Sequence, residues 1–178
     1  MYVMNAALGG LFSSRINMNL REEHGYTYGA GSAFVYRKAA GPFLVGTGVR
    51  TDVTGPAVSE IFKEIARMAE TPLSPEELAV AKDFLVRSLP GTFETGAQTA
   101  SSLASLFIYD LGLDYFTTYP DRVSAVTDVQ VGAAARTHLV PGKMIVVAVG
   151  DRAKILPQLQ RLNLGRTEAR NADGDVVR

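Results

Sequence analysis

The chain carries two histidines, His24 and His138, and no cysteine. A catalytic zinc takes about three protein ligands, usually histidines and a carboxylate, with a fourth position open for water. The two histidines stand in different elements. Neither belongs to H-E-x-x-H or to the inverted H-x-x-E-H pattern, which sets two ligands one helical turn apart. Glu22 and Glu23 directly precede His24, and adjacent residues on a helix do not face the same way. Both histidines read as residues near helix C-termini, where a cation is mildly favoured. Ser13, Ser14 and Ser32 lie in no G-x-S-x-G elbow. The glycines between Gly25 and Gly31 lack the lysine and the following helix of a phosphate-binding loop. Without cysteine, disulfides, thiolate nucleophiles and thiolate-zinc sites are excluded. The chain therefore reads as no complete catalyst by itself, with no metal or other cofactor of its own.

The elements that would position any site follow from periodicity. Residues 2–20 predict one helix, with Val3, Ala6, Ala7, Leu11, Ile16 and Leu20 near one apolar face. Gly9-Gly10 inside it weakens helix propensity by roughly 1 kcal/mol each relative to alanine, which points to close packing or a bend. Gly25 is placed to end that helix. Residues 26–36 then alternate with a period of two, Gly41-Pro42 makes a turn, and residues 43–49 return as a second strand. Tyr26 and Tyr28 are expected to share a face of the first strand.

A helical block follows. Asp52 or Thr54 is a candidate cap for a helix through Met68, with Pro56 in its first turn. Ser74-Pro75-Glu76-Glu77 reads as a capping box, and so does Thr127-Asp128-Val129-Gln130. Helices are expected from Pro75 to near Pro90, over 97–111, over 114–123 and from Asp128 to before Pro141. The continuous apolar run 144–149 predicts a strand buried on both faces, and a short helix after Gly150-Asp151 carries Ile155, Leu156, Leu159 and Leu162. Residues 1–165 are read as a single, partial domain and 166–178 as a polar tail. The fold class is α+β, an antiparallel sheet with helices packed on one face.

Lysine plus arginine and aspartate plus glutamate each number 18 in the 178 residues, so formal net charge is zero. Nucleic acid and anionic membranes, which call for a basic stripe, are not expected partners. No apolar run approaches the ~20 residues of a membrane span. Composition leaves localisation open.

Several separated motifs agree in type and spacing with one known family. The run from Leu8-Gly9-Gly10 through Ser13-Ser14-Arg15, then Leu20-Arg21-Glu22-Glu23-His24-Gly25-Tyr26-Thr27-Tyr28, resembles the C-terminal-domain signature of insulinase/pitrilysin zinc peptidases, including the processing peptidases. Thr51-Asp52, Leu73-Ser74 through Lys82, and Val147 through Asp151 follow in the same order. The resemblance implies a metalloendopeptidase built of two homologous domains. One holds zinc; the other, represented here, contributes an arginine and a tyrosine to bound peptide. Carried onto this chain, that pair falls on Arg21 and Tyr28, with Tyr26 as the fallback. A guanidinium and a phenol are donors suited to a carbonyl oxygen gaining negative charge. Implied partners are a peptide or protein substrate and a zinc-bearing homologous domain or subunit. The family's domain starts several tens of residues before Leu8, so an open sheet edge and self-association are expected. The rival readings are a non-catalytic structural subunit with the same fold and an unrelated α+β binding module.

Overall fold

The apolar stripe at the start of the chain folds as helix, in two pieces and not one. In the computed structural model, which describes residues 1–177, α1 (Tyr2–Asn5) runs on as a π-helical segment over Ala6–Gly10. Likewise α2 (Arg15–Asn17) runs on as a π-helical segment over Met18–Glu23. Leu11 between them is extended, with φ −114° and ψ 159°. The single helix over 2–20 is thus corrected, and the break follows the glycine pair. Gly9 lies so close to the sheet that a Cβ there would stand 2.4 Å from Ser32 Oγ and 2.7 Å from its backbone nitrogen. Close packing, one of the two roles expected of the pair, accounts for it. Met4, Leu8, Ile16 and Leu20 still face the core, fully buried.

Gly25 ends the second piece in the left-handed region, at φ +61°. Its N–H donates to the Arg21 carbonyl at 3.1 Å, and the Tyr26 N–H to Leu20 at 2.8 Å, satisfying carbonyls a helix end leaves open. The hairpin is antiparallel: β1 (Ala30–Phe34) and β2 (Phe43–Thr47), with Ala30 opposite Thr47 and Phe34 opposite Phe43. Both strands are shorter than their alternation predicts. Before β1, the Thr27 hydroxyl donates to the Gly48 carbonyl at 2.7 Å, so a side chain takes the place of ladder pairing there. Tyr26 and Tyr28 consequently lie ahead of the strand, not on one face of it.

Next come α3 (Thr54–Glu70), α4 (Pro75–Ser88), α5 (Gly96–Ile108), α6 (Tyr115–Ser124), α7 (Asp128–His138) and α8 (Arg152–Gln160). Ser74 and Thr127 head capping boxes as their spacing predicts, and Thr95 with Gln98 forms a further one. Neither Asp52 nor Thr54 caps α3. A 3-10 turn, Thr51–Val53, leads into it, and the Thr54 hydroxyl donates back to the Thr51 carbonyl at 3.1 Å.

The run 144–149 is the largest departure. It forms no strand among the described residues: Ile145, Val147 and Val149 are 88%, 83% and 98% exposed. A continuous apolar run expresses preference for a sheet interior. It cannot supply the neighbouring strands that make one. The two-stranded hairpin with helices against it is nonetheless the α+β arrangement expected.

The core joins the two opening helices to α3, α4, α6 and α7 through Leu8, Ile16, Ile65, Met68, Ala81, Val123 and Ala135. One cation is buried in it. Arg15 Nε and Nη2 donate to the two carboxylate oxygens of Glu77 at 2.6 and 3.0 Å. Its Nη1 reaches the carbonyls of Arg67 and Thr71 at 3.5 and 3.4 Å, and Nη2 that of Pro72 at 3.2 Å. Glu77 also accepts from the Ser74 N–H at 2.7 Å. The hydrogen-bonded Arg15, helped by the Ser74 N–H and opposed by partial burial, holds the Glu77 carboxyl down to about 2 from an ordinary 4.5.

Arg15→Ala should therefore cost roughly 3 kcal/mol in denaturant unfolding, the low end for breaking a buried pair because Glu77 stays partly hydrated. A folded-state carboxyl lowered in this way stabilises above about pH 4.5, and that contribution is lost as pH falls toward about 2. Thermal melts across this window should show a shallower pH dependence for Glu77→Gln than for the unsubstituted chain.

Candidate functional site

The second π-helical segment carries Arg21 and ends where the chain turns toward β1. Arg21 is half-buried, and its guanidinium carbon stands 4.3 Å from the centroid of the Phe12 ring. Arg21 Nε also lies 3.4 Å from Glu22 Oε1, an exposed pair of little energetic weight. Tyr28 is 99% exposed. Tyr26 is partly buried, stacks on His24 with ring centroids 4.9 Å apart, and packs against the core.

An open groove of about 470 Å³ runs between Gly10, Leu11 and Phe12 on one side and Tyr28, Gly29 and Gly31 on the other. That is within the roughly 300–1,000 Å³ of ligand clefts. Tyr28 and Phe12 both line the groove; Arg21 lies over the Phe12 ring and is not itself among the lining residues. Tyr26 does not line it.

Asn17 ties the two walls together. Its Nδ2 donates to the Phe12 carbonyl at 2.6 Å, and its Oδ1 accepts from the Ala30 N–H at 2.9 Å. Asn5 braces the strand further along, donating to the Ser32 carbonyl at 3.0 Å and accepting from the Ser32 hydroxyl at 2.8 Å. Both asparagines occupy the edge of β1 that faces away from β2. Sequence reasoning missed Phe12 and Asn17. An aromatic two residues after the glycine pair and an amide on an otherwise apolar helical face were the available signals.

The family resemblance raises the question of zinc. Among the described residues no three histidine, cysteine, aspartate or glutamate side chains group so as to hold a metal ion. His24 Nε2 lies 3.8 Å from Glu60 Oε2, and His138 closes α7 on a different element. These residues do not fit a zinc site. Nor, among the described residues, is any helix long and apolar enough to cross a membrane.

Residues 1–85, which contain the whole groove, match the family model described as the peptidase M16 inactive domain. Among solved structures the chain is similar to a peptidase M16 inactive domain from Pseudomonas fluorescens, at 28% identity and a TM-score of 0.71, covering 78% of this chain and 33% of that one. A conserved protein from Enterococcus faecalis V583 shares 20% identity at a TM-score of 0.66, covering 76% and 31%. A candidate zinc protease from Bordetella pertussis Tohama I shares 18% at 0.64, covering 78% and 77%. The last two likenesses show the fold. The chain spans about a third of the first two of these structures. No curated protein matches the sequence.

If Asn17 holds the groove walls in register, Asn17→Ala leaves a carbonyl and an amide without their partner. The loss should be about 1–3 kcal/mol of stability, with faster hydrogen exchange at the Ala30 amide. Unchanged exchange at Ala30 would remove Asn17 from this role.

Proposed function

We propose that this domain binds peptide substrate for a zinc metalloendopeptidase whose metal is held by a homologous partner domain or subunit. The observation that carries the reading is a fully exposed Tyr28 on a glycine-walled groove, with Arg21 stacked on the Phe12 ring that lines it, inside the segment that matches the M16 inactive-domain family model. Glycine walls let a peptide backbone approach closely. An extended peptide suits such a groove, and sheet addition is available at the outer edge of β2, since Asn5 and Asn17 occupy that of β1.

Arg21 and Tyr28 are assigned to the scissile carbonyl oxygen. As the carbonyl is attacked its oxygen gains negative charge, and preorganised N–H and O–H donors stabilise that charge more than the ground state. Stacking on Phe12 leaves the edge of the Arg21 guanidinium free to donate, and the exposed phenol of Tyr28 turns without displacing core atoms.

Combined with a zinc-bearing M16 partner, Arg21→Ala and Tyr28→Phe should each lower turnover about 100- to 1000-fold. The double variant should lose less than the sum if both act on one oxygen. Loss with Tyr26→Phe but not with Tyr28→Phe moves the assignment to Tyr26. Full activity in all three variants favours the non-catalytic subunit. The chain alone should bind no stoichiometric zinc by elemental analysis and cleave no peptide.

The isolated chain should also self-associate. Residues 145–149 expose Ile145, Val147 and Val149, and α5 exposes Leu103 and Phe107. Uncovered apolar surface and unpaired extended backbone both recruit partners. Light scattering at tens of micromolar should show oligomers that Val147→Lys reduces; a monodisperse monomer counts against the idea.

A further inference from the structure

We infer that Phe12 is a positioning and specificity-determining residue: its ring holds the Arg21 guanidinium at the groove and selects peptides with an apolar or aromatic side chain beside the carbonyl that Arg21 engages. The inference rests on the peptide-binding reading above. Phe12 is 64% exposed, unusual for so large an apolar ring, yet it is not loose. Its carbonyl is fixed by the buried Asn17, and one ring face is covered by the Arg21 guanidinium carbon at 4.3 Å. The ring also lines the groove, as Tyr28 does.

This arrangement has two consequences. A cation over an aromatic face is attracted by the ring quadrupole, so Phe12 limits the positions that the long Arg21 side chain samples. The exposed ring also gives the groove an apolar surface on which a peptide side chain can stack. A charged or amide side chain placed there would lose hydration without gaining a partner. Glu22, the nearest charge to Arg21, pairs with Nε and leaves the terminal nitrogens for substrate.

The test uses the full chain and two blocked alanine hexapeptides, one carrying a central phenylalanine and the other glutamine in its place. In the free chain, Arg21 side-chain protons should show upfield ring-current shifts by NMR. These shifts should vanish in Phe12→Ala and persist in Phe12→Tyr. Titration should show the phenylalanine peptide bound more tightly than the glutamine peptide. Phe12→Ala should weaken binding of the phenylalanine peptide about tenfold and remove the preference, while Phe12→Tyr restores both. A ring acting only in folding would move neither the preference nor its rescue, and an exposed ring leaves the melting temperature nearly unchanged as a control. Unaltered Arg21 shifts and unaltered preference in Phe12→Ala overturn the inference and leave the peptide-binding reading standing. If the unsubstituted chain binds neither peptide, the peptide-binding reading falls and takes the specificity role with it, while the Arg21 shifts still decide the positioning role.

Discussion

The buried guanidinium of Arg15 is the constraint on which the rest of the structure depends. A desolvated cation is tolerated only where its donors are all matched, and Arg15 meets that demand with one carboxylate and three main-chain carbonyls. These acceptors come from the end of α3, the connection after it and the first turn of α4. The geometry is therefore restrictive. Only one docking of α2 against that corner satisfies every partner, and α2 is the element from which both groove walls are fixed.

From α2 the order passes outward through short contacts. Asn17 lies on it two residues after Arg15 and bonds both Phe12 and Ala30. Arg21 follows on the π-helical continuation and meets the ring of Phe12. A π-helical segment advances side chains by a different angle from an α-helix, so it aims a residue where regular geometry would not. The site thus combines a rigid inner part with an outer part, Phe12, Arg21 and Tyr28, that faces solvent. Such a division suits a surface that must hold its donors in place and still admit a chain of variable sequence.

The exposed apolar residues of 145–149 and of α5 have a different character. They lie away from the groove residues in sequence and carry no titratable side chain of their own apart from flanking positions. Formal net charge of zero gives no long-range repulsion between copies or between homologous domains. Apolar surface of this kind favours contact with another protein surface.

The sequence by itself determined the elements whose signals are local. Ser74 and Thr127 head their boxes because a hydroxyl and a carboxylate or amide three residues apart satisfy each other whatever surrounds them. Gly25 ends its helix because the left-handed conformation there suits glycine. The motif from Leu8 to Tyr28 was equally legible as a family signature, and with it the α+β class. Tertiary structure alone decided the rest. The break at Leu11 depends on Gly9 meeting Ser32 in a strand about twenty residues on. Arg15 reads as a surface or ion-paired residue until α3 and α4 bring it their acceptors, and the place of Phe12 emerges only where Arg21 covers its ring. The run 144–149 has every intrinsic mark of an interior strand and stands in solvent. Burial belongs to an arrangement of several segments, and periodicity within one segment records only what that segment prefers.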